Sequence, residues 1–404
     1  MDVTIGRTNS HKNFFFKCRS CKFSYDHTLP SFIKTELPKI IGLESHQLER
    51  SFQRGNIKFY DSQGVNALQF RKRINNIESG TMVCFGDEIE VIRGFPKIRR
   101  TLMLSPTLKD HFTDEVTVEE KMNGYNVRIA LVNGRIIAFT RGGYICPYTT
   151  RKAPEIMDMD EFFRDHPELV ICGEMVGTEN PYVTHYYKEV GNLGFRIFDL
   201  REKVTNQPMT LHDKREMLEK YGLPSVRLFG VYGVDEAVFE VESIIKRLEQ
   251  TNREGVVMKD PKMQIPPLKY TSSHAHADEL KYAFTYPFDF GRSFFFSRVI
   301  REGFQAYELN ESREDLKKRA QRLGEAILYP MLDTIKHVSK EKVAGEDLVI
   351  HVDSYEEAAE FVHHLQDLGV VATVHRFEDG KAVIRRIHQS TTDRITNFLR
   401  GGLY

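Results

Sequence analysis

In the stretch VEEKMNGYNVRIA, Val118 to Ala130, one lysine stands between two acidic residues and an Asn-Gly pair, with apolar and β-branched residues on both sides. A lysine amine attacks an electrophile only after losing its proton. Lys121 would therefore need cationic or metal neighbours to lower its pKa, and a phosphate held in line. A metal at a phosphate asks for hard carboxylate oxygens, and a nucleotide base asks for an aromatic face. Residues of each type recur downstream at the ends of strand-like runs. Glu174 in ICGEMVG and Glu254 in REGVVMKD each lie beside a glycine, Phe198 and Asp199 close GFRIFDL, and basic residues stand at Arg141, Lys259 and Lys269. Each is also what an ordinary protein surface carries. Asn-Gly between strand-like runs is, by itself, the strongest short-range signal for a hairpin, so the local expectation is a hairpin whose turn presents Lys121.

Such side chains need a scaffold, and the pattern from Val116 to Tyr270 is dominated by strand-like runs: VTVEEK, NVRIALV, RIIAFTR, LVICGEMVG, GFRIFDL and EGVVMKD. They arrive in hairpin-like pairs with short amphipathic helices between them, at EIMDMDEFFRDH, HDKREMLEKYG and VESIIKRLEQT. This predicts an α+β fold with antiparallel sheets and not a doubly wound parallel sheet. Neither G-x-G-x-x-G nor a P-loop occurs, so the standard dinucleotide and P-loop chemistries are not offered. Ahead of this core, SFIKTELPKIIGLESHQLERSF has helical spacing, and short alternating runs follow as far as the basic loop RGFPKIRR. After Thr271 the pattern turns helical and includes the long amphipathic ESREDLKKRAQRLGEAILYPMLDTIKHV. Beyond Lys340 the order strand, helix, strand, strand, helix makes a small α+β module of about 60 residues. The expected divisions are a leader at 1–30, an N-terminal α+β module at 31–105, a catalytic core at 106–272, a helical module at 273–340 and a C-terminal α+β module at 341–404.

With 57 basic and 57 acidic residues in 404, a polyanion site must be a local groove and not a property of the whole surface. No apolar run approaches the roughly 18 residues of a spanning helix and no signal-peptide order opens the chain, so a cytoplasmic location is expected. The odd count of 5 cysteines fits a reducing compartment. Cys18 and Cys21 in KCRSCKF have zinc-ligand spacing with His11 and His27 nearby, but a second Cys-x-x-Cys is missing, and an ordinary reduced pair is the expectation.

The order of these elements resembles the covalent nucleotidyltransferase superfamily of ATP-dependent ligases and mRNA capping enzymes. Lys121-Met-Asn-Gly124 stands where that superfamily has Lys-x-Asp-Gly or Lys-x-x-Gly. There follow the arginine of FTRGG, the glutamate of GEMVG, the aromatic-Asp pair of FRIFDL, the EGVV element and the lysine of PPLKY. Within the superfamily the chain is most similar to the homodimeric archaeal-type ATP-dependent RNA ligases, from about Ser31 to Tyr404; the leader has no counterpart there.

The resemblance implies a nucleotidyltransferase core of the DNA/RNA ligase type (ATP-grasp-like), a helical dimerisation module, ATP and Mg2+ (or Mn2+) as cofactors, and RNA with 5′-phosphate and 3′-hydroxyl ends as substrate. Lys121 would form a lysyl-AMP phosphoramidate. Glu119 would accept from the adenine amino group, Phe198 would stack on the base, and Arg141 with Glu174 would meet the ribose or a metal-bound water. Glu254, with Glu174, would hold the metal, and Lys269, ahead of Lys259, would neutralise the α-phosphate. Asn123 and Gly124 belong to the lysine element. Asn126 matches the asparagine that RNA ligases often carry two residues past the glycine, where DNA ligases place arginine; Arg128 close by blurs that distinction. A DNA ligase or a capping-type enzyme on the same core is the alternative, and an RNA-binding protein with a decayed core lies further off. For RNA, the candidates are Lys97, Arg99 and Arg100 in the basic loop, and Arg292 and Arg298 in FDFGRSFFFSRVIREGF, where aromatics interleave with these two arginines and Arg301. The favoured reading of that segment is a buried aromatic cluster at a dimer contact.

Overall fold

The structure, a computed structural model, describes Leu29 and residues 31–404; the Cys18 and Cys21 pair lies outside them. Strands β1 (Ile57–Ser62), β2 (Val65–Phe70), β3 (Met82–Phe85) and β4 (Ile89–Ile92) form an antiparallel meander. Helices Ser31–Ile41 and Ser45–Gln53 cover one of its faces, burying Ile33, Leu37 and Leu48 against Ile57, Leu68 and Val83. Each such fully buried side chain contributes about 1.5–3 kcal/mol.

Two further sheets carry the middle of the chain. One is ordered β11-β6-β12-β13-β5, from β5 (Arg99–Arg100), β6 (Glu115–Lys121), β11 (Leu228–Gly233), β12 (Gly255–Lys259) and β13 (Leu268–Thr271). The other is ordered β10-β9-β7-β8, from β7 (Tyr125–Val132), β8 (Arg135–Thr140), β9 (Leu169–Val176) and β10 (Gly194–Glu202). All their pairings are antiparallel except β13 with β5.

The period-two alternation of a strand decides what faces what. In the first sheet Val116, Val118, Val256, Met258, Leu268 and Tyr270 pack under helix Val234–Gln250, which sends Glu119, Lys121, Val257, Lys259 and Lys269 to the other side. In the second, Val127, Ile129, Ile171 and Met175 join Phe162, Phe163 and Leu218 in one core. Ala130, Val132, Val170 and Cys172 meet the N-terminal meander in another, and Asn126 and Glu174 continue that second face beyond the meander's edge.

The expected hairpin after Lys121 is not there. β6 pairs with β11 and β12, β7 pairs with β8 and β9, and residues 122–124 carry the chain from one sheet to the other. The glycine is needed for close approach: a Cβ on Gly124 would stand 2.1 Å from the Met175 carbonyl oxygen. The other Asn-Gly pair does make the hairpin. Asn133 and Gly134 both have positive φ, 50° and 73°, and join β7 to β8, as a type I′ turn requires.

The chain then turns helical at Ser273–Thr285, Arg292–Glu308 and Arg313–Val338, as the pattern predicts. β14 (Gly345–His351), helix Tyr355–Asp367, β15 (Val371–Glu378), β16 (Lys381–Ile387) and helix Gln389–Leu399 follow in the expected order. This last unit does not stand apart. Phe361 and Val362 share a core with Cys146 and Tyr148, and the Tyr182 hydroxyl and His364 Nε2 are 2.7 Å apart. Three smaller expectations fail. The EIMDMDEFFRDH helix is two helices, Pro147–Ile156 and Asp160–Asp165, parted at Met157; the basic loop ends in strand β5; and β11 went unseen in the sequence.

Candidate active site

Between the two middle sheets lies a cavity of about 410 Å³ lined by Lys121, Glu119, Asn126, Glu174, Phe198 and Lys269, with Arg141 and Lys259 also on its wall. That volume suits a nucleotide-sized ligand. Register explains the convergence. Across β6, β12, β13 and β5, Glu119 stands opposite Val257, Val257 opposite Lys269, and Lys269 opposite Arg100. One step along, Lys121 stands opposite Gly255 and Gly255 opposite Thr271. On the facing sheet Asn126 stands opposite Glu174.

Lys121 Nζ donates to Glu254 Oε2 at 2.6 Å. Burial pulls its pKa down, but Glu254 and Glu174 outweigh burial and hold it above the ordinary lysine value, while Arg100 opposes them. Glu174 is pushed up to about 7 by burial, with Glu254 adding to the rise and Lys121 resisting it. Lys269 is brought down to about 8 by burial and by the like charges of Lys121 and Arg100. In the ligand-free protein, then, Lys269 is the more easily deprotonated lysine, and Lys121 is held as an ammonium by its glutamate. The side-chain oxygen Oδ1 of Asn126 is buried without a hydrogen-bond partner, an acceptor that a cavity ligand can satisfy.

Deeper in, the same strand face builds a closed group of paired charges. Lys214 Nζ donates to Glu119 Oε1 and, at 2.9 Å, to the Phe198 carbonyl. Lys259 Nζ lies 2.7 Å from Glu119 Oε2 and donates to Asp199 Oδ1 at 2.8 Å and to the Phe198 carbonyl at 2.7 Å. Burial would raise the carboxyl pKa of Glu119, but Lys259 and Lys214 overcome it, and for Asp199 Lys259 and Arg201 do the same; both stand below the usual carboxylate range. Phe198 is the extra residue of a β-bulge, since Ile197 pairs with Gly173 and Asp199 with Cys172. A bulge re-aims a side chain, and here it sends the Phe198 ring into the cavity, edge-on to Phe95 at 5.1 Å.

The structure thus gathers Lys121, Glu119, Gly124, Asn126, Arg141, Glu174, Phe198, Lys259 and Lys269 around one cavity, with Glu254 on Lys121. Asn123 is not on its wall; its backbone N–H donates to the Tyr187 hydroxyl at 2.6 Å. Arg128 is no substrate residue. Fully buried, it donates to the carbonyls of Arg93, Gly80 and Thr140 and ties the N-terminal meander to the core. Of the basic-loop candidates, Lys97 and Arg99 are exposed, whereas Arg100 turns inward to Thr271. Arg292 is exposed, and Arg298 is bound to Glu279 and stacked over Phe294.

Sequence reasoning missed Lys214, although a signal existed. It falls on the apolar face of helix Leu211–Lys220 with Leu211, Met217 and Leu218, where a lysine needs a buried partner. Leu368, from the C-terminal unit, also reaches the cavity wall, and no local pattern announces it.

Comparison with known proteins adds to this geometry. The RNA ligase family matches residues 114–271, and the family described as the ligase Pab1020 C-terminal region matches 282–402. A solved archaeal ATP-dependent RNA ligase is 59% identical, with a TM-score of 0.90 over 93% of this chain and 100% of its own. A solved putative ATP-dependent DNA ligase from Aquifex aeolicus is 26% identical, with a TM-score of 0.83 over 89% of this chain and 99% of its own. A Methanocaldococcus jannaschii protein described as uncharacterized is 42% identical over 376 residues, 90% of this chain and 95% of its own length.

Proposed function

This chain belongs to the archaeal ATP-dependent RNA ligases, and from that premise we propose that it joins 5′-phosphate and 3′-hydroxyl ends of single-stranded RNA, circles included, with Lys121 as the nucleophile. The observation that carries the proposal is the ammonium of Lys121 held by Glu254 in a cavity whose facing wall offers Phe198, Glu174 and the unpartnered Asn126 oxygen.

Three in-line displacements at phosphorus follow. Lys121 Nζ, as the free amine once its proton has passed to solvent, attacks the α-phosphorus of ATP, the bond to the bridging oxygen breaks and pyrophosphate leaves. The RNA 5′-phosphate then attacks the same phosphorus, and the lysine nitrogen departs as it regains a proton. Finally the 3′-hydroxyl attacks the activated RNA phosphate and AMP leaves. The protein supplies position and charge. The Phe198 ring stacks the adenine. Glu119, fixed by Lys214 and Lys259, lies at the base-binding end. Arg141 and Glu174 address the ribose, Asn126 accepts from a substrate hydroxyl, and Lys269 with Lys259 meets the charge developing on the α-phosphate. Asn123, through its backbone, and Gly124 hold the crossing segment in place.

Glu174 and Glu254 are the carboxylates beside Lys121, and no group of three or more His, Cys, Asp or Glu side chains suited to a metal occurs among the described residues. Such a pair fits Mg2+ or Mn2+, which complete their shells with phosphate oxygens and water. Glu174 and Glu254 would hold the ion, Glu254 at the expense of its contact with Lys121, and it would supply positive charge that offsets the phosphates. Lys121, once released from Glu254, has Arg100 and Lys269 as like-charged neighbours that lower its pKa.

A homodimer fits the exposed Phe296, Val299, Phe304 and Tyr307 on helix Arg292–Glu308, and Leu328, Tyr329 and Leu332 on helix Arg313–Val338. No described helix is long and apolar enough to cross a membrane. Single-stranded 5′-phosphorylated RNA and DNA offered side by side with ATP and Mg2+ test the polymer. Sealed or circular RNA with unjoined DNA is expected. Preferential DNA joining would favour the reading suggested by the Aquifex aeolicus relative.

A further inference from the structure

Around Thr271 and Arg100, where the rows from Lys121 and Glu119 reach the far edge of the sheet, cations outnumber the carboxylates that answer them. Arg298 donates through Nε to Glu279 Oε2, and Arg301 Nη1 stands 3.5 Å from the same oxygen. Arg100 donates to the hydroxyl of Thr271. Arg100 and Arg301 line one small cleft with Thr271, His276 and Gln305. The other carboxylate acting on both arginines is Glu254, which is already paired with Lys121. Arg301 Nη1 is buried and has no hydrogen-bond partner. Burial, then Arg100 and Arg298, bring the Arg301 pKa down to about 10.

The same helices show what an arginine that serves packing looks like. Arg319 donates to Glu302 and to both oxygens of Glu311, and Glu302 in turn binds Ser273 and His276. That network is matched donor for acceptor, whereas the Arg100, Arg298 and Arg301 group leaves a buried donor open and crowds like charges, an arrangement that costs stability unless an anion completes it. Its position is also informative. Thr271 lies two strands from Lys121, roughly 10 Å at ordinary strand spacing, close to where phosphoryl groups adjoining the attacked phosphorus would lie.

We propose that Arg100, Arg298 and Arg301 form a phosphate subsite, built jointly by β5 and helix Arg292–Glu308, that receives a phosphoryl group adjoining the reacting phosphorus. The group is either the β,γ end of ATP or the terminal 5′-phosphate of the RNA. The proposal rests on Lys121 being the adenylylated residue, and labelling of wild type against Lys121→Ala from α-labelled ATP checks that premise separately.

The test uses the full chain carrying Arg301→Ala, Arg301→Gln or Arg301→Lys. One assay follows adenylylation by ATP alone. A second follows AMP transfer from preformed enzyme-AMP to 5′-phosphorylated RNA, and unfolding midpoints are measured alongside. Loss of one charged hydrogen-bonding partner predicts a fall of about 10- to 100-fold for Ala and Gln, partly restored in Lys. The unfolding midpoint should be equal to or above wild type, because like-charge crowding is relieved. A fall in the first assay alone assigns the subsite to ATP, a fall in the second alone assigns it to RNA, and a fall in both means each phosphate passes through it. Rates within about threefold of wild type in both assays would overturn the proposal while leaving Lys121 labelling intact. So would equal losses in all variants together with a lowered unfolding midpoint.

Discussion

Strand β6 carries two ionised side chains on one face, Glu119 and Lys121, and the protein treats them in opposite ways. Glu119 lies at the floor of the cavity, where Lys214, Lys259 and Asp199, each with a side chain about 4% exposed like its own, and Arg201, 11% exposed, complete a closed group in which every ion has a close partner. Lys121, two residues on and 21% exposed, has one close partner, Glu254, in a neighbourhood where Lys269, Arg141 and Arg100 add uncompensated charge. A sealed group in which every ion has a close partner fixes geometry. An accessible group short of partners is completed by substrate. Strand alternation and register alone produce both, because the floor and the mouth are successive steps on one face.

The comparison breaks first at the mouth. Lys121→Ala should lower ligation by more than about 10⁴-fold, as for loss of a covalent nucleophile, with little change in folding; end-joining rates beside an unfolding curve check both halves. At the floor the effect should move to stability. Lys214→Met leaves a buried carboxylate short of a partner and should cost about 3–5 kcal/mol in urea unfolding. An equal cost from Lys121→Ala would erase the distinction. Glu254→Gln should slow adenylylation by about 10²-fold or more, roughly 3 kcal/mol in the barrier, without comparable destabilisation.

The smallest effect concerns Glu174. Its folded pKa of about 7 lies above the unfolded value, so the native state binds the extra proton. The stability this confers is complete below about pH 4.5 and is lost as pH rises through about 7. Glu174→Gln should therefore raise the unfolding midpoint of ligand-free protein at pH 8 by about 1–3 °C. The difference should vanish toward pH 4.5.

The sequence disclosed the identity and order of the reactive residues because each sits at the end of a strand-like run where its type is conspicuous. It also disclosed the antiparallel character of the core and the order of the C-terminal elements, since both follow from local periodicity. It misled at Asn123-Gly124. A dipeptide that turns a hairpin at Asn133-Gly134 spans two sheets here, and the difference lies in Met175 across the gap. Lys214 and Leu368 escaped notice for the same reason. Each acquires its role from partners more than 20 residues away in sequence, namely Glu119 and the cavity wall.

Electrostatics in the ligand-free protein poses the sharpest question, because Lys269 is the lysine with the lowered pKa while Lys121 is held protonated by Glu254. Peptide mapping by mass spectrometry after incubation with ATP and Mg2+ addresses it directly. One AMP per chain is expected, on the peptide that contains Lys121, and none in Lys121→Ala. AMP on Lys269 or Lys259, or undiminished labelling of Lys121→Ala, would contradict it.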